Sequence, residues 1–565
     1  MDIIKHLTCL AALVPFAFGF LVAMASAADP ASRWAGISAD RMLTNIKTLS
    51  SDEYEGRAPA SKGEELSTHF IETQFKEIGL KPGNPDGTYI QNVPMVGIAA
   101  DPSAQLVFRK GDKHAALKFA DDFVAFTKHQ EPAVSMDADM VFVGYGVEAP
   151  EYQWNDFKGV DVKGKVIVVL INDPPVADPH DPSKLDEKTF KGKAMTYYGR
   201  WTYKFEKAAE KGAAGCLIVH QTALAGYPWD VVKTSNTGEQ FDLETADKGM
   251  SRAAIEGWMT LERAKELFAL AGKDFDALEK AAAHRDFHPV DLGVTASLTL
   301  KNTIRRIESK NVVAKLEGAD PKVRDEYVIF TAHWDHLGIG PEVNGDKIYH
   351  GAADNASGVA GLLEWARAFT KVRPAPRRSI LFLAVTGEEK GLLGSQYYAQ
   401  RPLYPNARTL AEINMDGLNV LGPTKDIEII GLGQSTLDDV VKAVAAEQGR
   451  QVKPDAEPEK GYYYRSDHFS FAKEGVPALD PESGLDYIGK PAGWGMEMRN
   501  KFTANDYHQP SDQVKPYWDL RGAVEDLQLL AEVGYRVANA KSFPSWKTGS
   551  EFKARREEAL KQARQ

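Results

Sequence analysis

The chain has 565 residues, of which 43% are hydrophobic and 26% charged. That length exceeds one compact core, so two or more domains are expected, and that composition excludes disorder for the bulk of the chain. A formal net charge of -11 argues against nucleic acid or an anionic membrane surface as the main partner.

Residues 1–27 come first and differ from the rest. Lys5, a long apolar stretch and Ala25-Ser26-Ala27 have the form of a secretory signal with a small-residue cleavage site. An uncleaved membrane anchor is the rival reading, and Pro15, Gly19 and the small-residue end favour cleavage. A secreted or periplasmic protein is expected, with no stable membrane span once the signal is removed. The chain has two cysteines. Cys9 leaves with the signal, so Cys216 has no partner and an intrachain disulfide is excluded. In "AAGCLIVH" it reads as a small buried hydrophobe.

From Asp40 to Lys81 the pattern is helical. Leu66, Phe70, Ile71, Phe75 and Ile78 recur mostly at steps of three and four, and Gly79 supplies a stop. From about Leu106 to Thr127 the pattern turns strand-like. Between Met140 and Asp173 two β-rich runs flank a glycine-punctuated loop, and "KFEKAAEKGAAGCLIVH" reads as helix, turn and strand. The run Ala253 to Arg285 is alanine-rich and helical in pattern. "GYG", "DVKGKVIVV" and "KAAEKGAAG" resemble the protease-associated domain, a small α/β module inserted in several secreted peptidases. The expected domain plan is 28–115 as an N-terminal part of the main domain, 116–290 as the insertion, 291–545 as the main domain resumed, and 546–565 as a charged, solvated helical tail.

From Lys310 strands and helices alternate: "YVIFTAHWD", "GVAGLLEWARAFTK", "SILFLAV", a helix, then "TLAEINMDG". That order predicts an α/β fold, with a mixed, mostly parallel central sheet flanked by helices. Sites in such sheets form beyond the carboxyl ends of the strands. Here the strand ends carry His333 and Asp335, then Glu388 and Glu389, then Asp416. Asp354 lies in a turn before a helix, and His508 lies far downstream. Each has an ordinary structural explanation alone, but together they favour a metal site. Imidazole and carboxylate without thiolate suit zinc, and also manganese or cobalt. Adjacent glutamates at a strand end point different ways. One can hold metal while the other faces the cleft as a proton shuttle.

"HWDHLG", "GAADNASGVA", "GEEKGLLGS", "INMDG", "YRSDHFSFAKEGVPAL" and "YHQPSDQV", in this order, resemble the co-catalytic (M28) zinc aminopeptidase family across nearly the whole mature chain. The resemblance implies two zinc ions, His333 and Asp416 on one, Glu389 and His508 on the other, and Asp354 bridging. It implies Glu388 as the general base acting on a water activated by both metals. It places Asp335 behind His333, fixing the ring's ligating tautomer. It also implies a cis bond between Asp354 and Asn355, and peptide substrates with a free N terminus. Where the family often has a further acidic residue before the bridging aspartate, this chain has Ala353.

Weaker candidates surround these. Tyr464 is a candidate oxyanion or substrate donor. His336 reads as a satisfied loop histidine, and Asp512 as a cap for a helix near Gln513. Trp494 and Met496 are candidate pocket residues. Three alternatives stand beside the aminopeptidase: a metallo-carboxypeptidase of the same fold, for which Arg465 and Arg499 are the candidate arginines, a cyclase-like transferase, and a non-catalytic binding ectodomain.

Overall fold

A computed structural model describes residues 33–563. The signal reading for residues 1–27 falls outside the described residues. Among these residues, no helix is long and apolar enough to cross a membrane.

Three apolar runs form the strands expected of them: Tyr327–His333, Ser379–Val385 and Thr409–Ile413, each buried along its whole length. They pair in parallel, with Tyr327–His333 in the middle. Ala478–Ser483 adds a fourth parallel strand. Antiparallel strands flank this centre, Asp426–Ile430 on one side and the end of a long strand on the other. Burial on both faces explains why these strands read as continuous hydrophobic runs. Val328, Phe330 and Ala332 face one core with Trp365, Phe369, Leu527 and Leu530, which belong to the helices Gly358–Lys371 and Arg521–Asn539. Tyr327 and Ile329 face another core with Tyr398 and Phe471. The fold is the helix-flanked α/β sheet expected from the alternation.

The long strand Val290–Leu316 has 27 residues and belongs to two sheets. Its first part pairs with Ala133–Phe142, its middle with Ile90–Ala100 and its end with Ser379–Val385. It therefore ties a second α/β unit to the first. The core of that unit draws on residues from Ala104 to Leu300, and the strand Lys113–Lys118 runs across the boundary expected at 115/116. Within this unit Val166–Leu170, Gly215–His220 and Ile255–Thr260 run parallel. Ile255–Thr260 corrects the helical reading of 253–285. The alanine-rich helices that follow, Leu261–Ala271 and Phe275–Ala282, imposed their period on a short strand. Cys216 is buried and free, as expected.

The N-terminal helical pattern is two helices, Ala39–Leu49 and Lys62–Ile78, the second stopped by Gly79 in the left-handed region. Between them Asp52–Arg57 forms a tight turn with positive φ at Glu55 and Gly56. The C-terminal helix Lys553–Gln562 forms but is not wholly solvated. Arg556 is 3% exposed and donates to the carbonyls of Asn406 and Thr409, which pins the tail beneath the strand Thr409–Ile413.

Candidate metal centre

The carboxyl ends of the parallel strands converge. His333 is the last residue of its strand, Glu388 and Glu389 follow Ser379–Val385 by three and four residues, and Asp416 follows Ile413 by three. Asp354 sits in the turn before the helix Gly358–Lys371, joined to Asn355 by a cis peptide bond. That turn allows little substitution. At Gly351 φ is +56°, and a Cβ would stand 2.3 Å from the carbonyl oxygen of Asp354 and 2.6 Å from the His336 ring.

Asp354 stands between two histidine–carboxylate pairs. On one side, His333 Nε2 lies 3.0 Å from Asp416 Oδ1 and 3.4 Å from Asp354 Oδ1. On the other, His508 Nε2 lies 3.2 Å from Asp354 Oδ2 and 3.1 Å from Glu389 Oε2. His336, which sequence reasoning treated as a loop histidine, belongs here too. It is fully buried, its Nδ1 lies 2.6 Å from Glu389 Oε1, and its Nε2 has no partner among the described residues. Its signal was present in "HWDH", one turn residue beyond Asp335.

The donor set fits a divalent cation. Two groups, His333 with Asp354 and Asp416, and His336 with Asp354 and Glu389, each bring ligand atoms within 4.8 Å of one another. Ligand atoms about 2.0–2.2 Å from one tetrahedral zinc stand roughly 3.3 Å apart, close to the spacings above. The electrostatics agree. Burial opposes ionisation of Asp354 and Glu389, yet contacts with His508, His333 and His336 hold both carboxyls well below the usual range. Burial likewise opposes charging His508, yet Glu389 and Asp354 push it up to about 10. The carboxylates thus demand positive charge, which in the chain alone comes from histidine protons and the buried Arg57 guanidinium.

Glu388 has a different setting. Its backbone N–H donates to Asp335 Oδ1 at 3.1 Å. Burial raises its carboxyl well above the usual range, with Asp416 and Glu389 adding to the shift and His333 opposing it. Asp335 is fully buried, and burial pushes its carboxyl up to about 7. His333 Nδ1 lies 3.1 Å from the Asp335 backbone oxygen and 3.9 Å from its carboxylate. The backbone carbonyl is therefore the nearer group for fixing the tautomer.

Several residues that sequence reasoning missed or misread hold these groups in place. Asp512 caps no helix, because the next one begins at Arg521. Its carboxylate instead accepts from the backbone N–H groups of Ala353 and Asp354, each at 3.0 Å. Asn355 Oδ1 accepts from the N–H groups of Gly358 and Gly417, joining the Asp354 turn to the Asp416 loop. Ser466 Oγ donates to Asp416 Oδ2 at 2.7 Å. Tyr507 stacks on His508 with ring centroids 3.9 Å apart. Tyr464 is directed elsewhere, its hydroxyl 3.2 Å from Glu551 Oε1 and its ring packed against Tyr197 and Phe469. Arg499 is engaged with Glu428 and the Ser483 carbonyl. Trp494 and Met496 lie on the helix Trp494–Asn505, where the Trp494 ring packs edge-on against Tyr487.

Arg57 is the least legible of these residues. It is fully buried, and it donates to the carbonyls of Trp334, Leu49, His350 and Gly351 at 2.7–3.0 Å. It clamps the N-terminal turn beneath the loops that carry His333 and Asp354. Burial lowers its pKa to about 10, so it stays charged at neutral pH. Each buried carbonyl left without a donor costs about 1–3 kcal/mol. Arg57→Ala is therefore expected to destabilise the protein by at least about 3 kcal/mol and to weaken metal retention. Urea unfolding and metal analysis of the purified variant check this, and an unchanged midpoint would refute the clamp.

Residues 311–531 match peptidase family M28. A "Probable zinc metalloprotease" of Pyrenophora teres f. teres is 41% identical over 106 residues, 19% of this chain and 22% of that protein. The "Leupeptin-inactivating enzyme 1" of Streptomyces exfoliatus is 27% identical over 208 residues, 36% of this chain and 43% of that protein. The match thus spans between about a fifth and less than half of these relatives' length. Among solved structures, the "Aminopeptidase from Aneurinibacillus sp. strain AM-1" superposes with a TM-score of 0.50 at 20% identity, covering 90% of this chain and 95% of that one. It shares the fold.

Proposed function

We propose that this chain, whose residues 311–531 form an M28 peptidase domain, is a secreted metallo-aminopeptidase that removes N-terminal residues from peptides. The observation that carries the reading is the position of Asp354 between the His333–Asp416 pair and the His508–Glu389 pair, with Glu388 alongside. In this reading His333 and Asp416 hold one zinc ion, Glu389 and His508 hold a second, and Asp354 is shared. Metal bound there supplies Lewis acidity toward the scissile carbonyl and lowers the pKa of water.

The remaining steps belong to the chain. Glu388 takes a proton from the attacking water and delivers it to the departing amine. A carboxyl whose pKa is raised by burial is suited to that exchange near neutral pH. Asp335 holds the Glu388 N–H and so aims the base at the cleft. Ser466 and Asn355 fix the loop that carries Asp416. The second unit, with its core from Ala104 to Leu300, is read as a protease-associated module bordering the cleft.

Purified zinc-loaded protein incubated with one peptide pool, free and N-acetylated, tests this by mass spectrometry. Loss of single N-terminal residues from the free pool alone is the expected result. Trimming from the other end, or equal attack on both pools, would favour the carboxypeptidase alternative, for which Arg465, whose Nε has no partner among the described residues, remains a candidate arginine.

A further inference from the structure

Behind the metal centre, four buried polar side chains form a hydrogen-bonded line that ends on Asp416. Thr331 lies two residues before His333, and Glu412 and Asn414 lie four and two residues before Asp416. The parallel pairing of the two strands sets Ile329 against Glu412, which brings Glu412 within reach of Thr331. The Thr331 hydroxyl contacts Glu412 Oε1 and lies 2.8 Å from Asn414 Oδ1. Asn414 Nδ2 lies 2.7 Å from Ser466 Oγ and 3.3 Å from Asp480 Oδ1. Ser466 Oγ lies 2.7 Å from Asp416 Oδ2, while Asp416 Oδ1 faces His333 at 3.0 Å. Glu412, Thr331, Asn414 and Ser466 are all buried, and so is Asp480.

Counting donors shows where the protons must be. A hydroxyl has one proton to give, and an ionised carboxylate has none. A metal ligand at Asp416 is ionised, so Ser466 spends its proton on Asp416 Oδ2. The Asn414 atom facing Ser466 must then be a donor. With the amide turned the other way, two acceptors would face Ser466 and one of them would go without a proton. The amide therefore points its nitrogen at Ser466 and Asp480 and its oxygen at Thr331, and that oxygen takes the single Thr331 proton. Only a proton on Glu412 then closes the contact between Glu412 and Thr331. An ionised Glu412 would compete with Asn414 for the Thr331 proton and leave one buried acceptor unpaired, which is costly. The surroundings of Glu412 agree. Ile329, its neighbour in the pairing, belongs to an apolar core, and Glu412 Oε2 has no partner among the described residues. Burial, with Asp467 adding to it and Thr331 opposing it, raises the Glu412 carboxyl well above the usual range.

We infer that Glu412 is a positioning residue, held as a neutral acid, whose proton orders Thr331, Asn414 and Ser466 so that Asp416 accepts at Oδ2 and keeps Oδ1 for metal. Hydrogen bonds behind a ligand fix its orientation and tune its hold on the ion. Here the line begins four residues before the ligand on the same run of chain, crosses to the neighbouring strand at Thr331, and returns through Asn414. Glu412 reaches Asp416 only through the three side chains between them. The role rests on the metal reading of Asp416, and not on which end of a peptide is trimmed.

Two measurements test it, and neither needs turnover. The first is the infrared difference spectrum of native protein minus Glu412→Gln at neutral pH, metal-free and zinc-loaded. A protonated-carboxyl band in the native protein that the variant lacks is expected. A carboxylate band in its place would overturn the neutral acid. The second is zinc affinity by competition with a chelator. Glu412→Gln keeps the size of the side chain and a donor toward Thr331, so its affinity is expected to stay close to native. Loss of zinc from it would overturn the role, because a neutral donor should suffice. Thr331→Val removes the proton that orients Asn414 and is expected to weaken zinc by about 10- to 100-fold, with Thr331→Ser restoring it. Ser466→Ala is expected to weaken zinc to a similar degree, and the double variant no further, because both substitutions cut one line. Additive losses would overturn the line. So would native zinc affinity in a Thr331→Val protein whose urea midpoint has fallen, which would leave Thr331 a packing residue. If Thr331→Val fails to fold, the infrared band and the zinc affinity of Glu412→Gln still decide the matter. Native protein that shows the Glu412 band yet binds no zinc would uphold the neutral acid and sink the metal reading.

Discussion

Glu388→Gln is expected to keep the fold and the metal while lowering kcat by about 10²- to 10⁴-fold, the usual contribution of a positioned acid–base group. The substitution keeps size and shape but removes the ability to accept and return a proton. It leaves the ligand groups untouched, because the histidines contact Asp354, Asp416 and Glu389. Glu389→Gln is the matched contrast. It weakens a carboxylate that faces both His336 and His508, so it is expected to lose metal first and activity as a consequence. Metal analysis beside kcat and KM separates the two neighbours. Full activity in Glu388→Gln would remove the proposed base, and loss of metal from it would make Glu388 a ligand instead.

How much of this was legible depended on whether a residue acts through a pattern or through a distant contact. The sheet was legible because strands buried on both faces must read as apolar runs, and Tyr327–His333 and Ser379–Val385 do. The candidate site was legible because α/β sheets place sites at strand ends, so His333, Glu388, Glu389 and Asp416 could be proposed by position. Arg57 and Asp512 were not legible. Their partners are backbone groups of Gly351, Trp334, Ala353 and Asp354, hundreds of residues away in one case, and backbone partners leave no trace in composition. Tyr464 failed for the opposite reason. A tyrosine near a motif suggests a donor, but its hydroxyl meets Glu551 from the C-terminal tail, a contact no local pattern announces. The long strand Val290–Leu316 was missed because it serves two sheets and its exposed positions are polar between them.

Asp354→Ala is expected to have the largest effect on metal. Asp354 is the one carboxylate that both metal-ligand groups share, so its removal splits the centre into a His333–Asp416 half and a Glu389 half with His336 and His508. Each half then has fewer donors than a closed site requires, and the shared negative charge between two cations is gone. Affinity should fall by more than the 10- to 100-fold typical of altering a group that only supports a ligand. Activity should fall at least as far as in Glu388→Gln. Asp512→Asn supplies that milder comparison, since Asp512 reaches the centre only through the backbone N–H groups of Ala353 and Asp354. Competition with a chelator of known zinc affinity, read by metal analysis on both variants and on the native protein, orders the three. If Asp354→Ala retained two ions with native affinity, Asp354 would not be the bridge. If Asp512→Asn lost as much metal as Asp354→Ala, the centre would owe its stability to the turn beneath it rather than to the shared carboxylate.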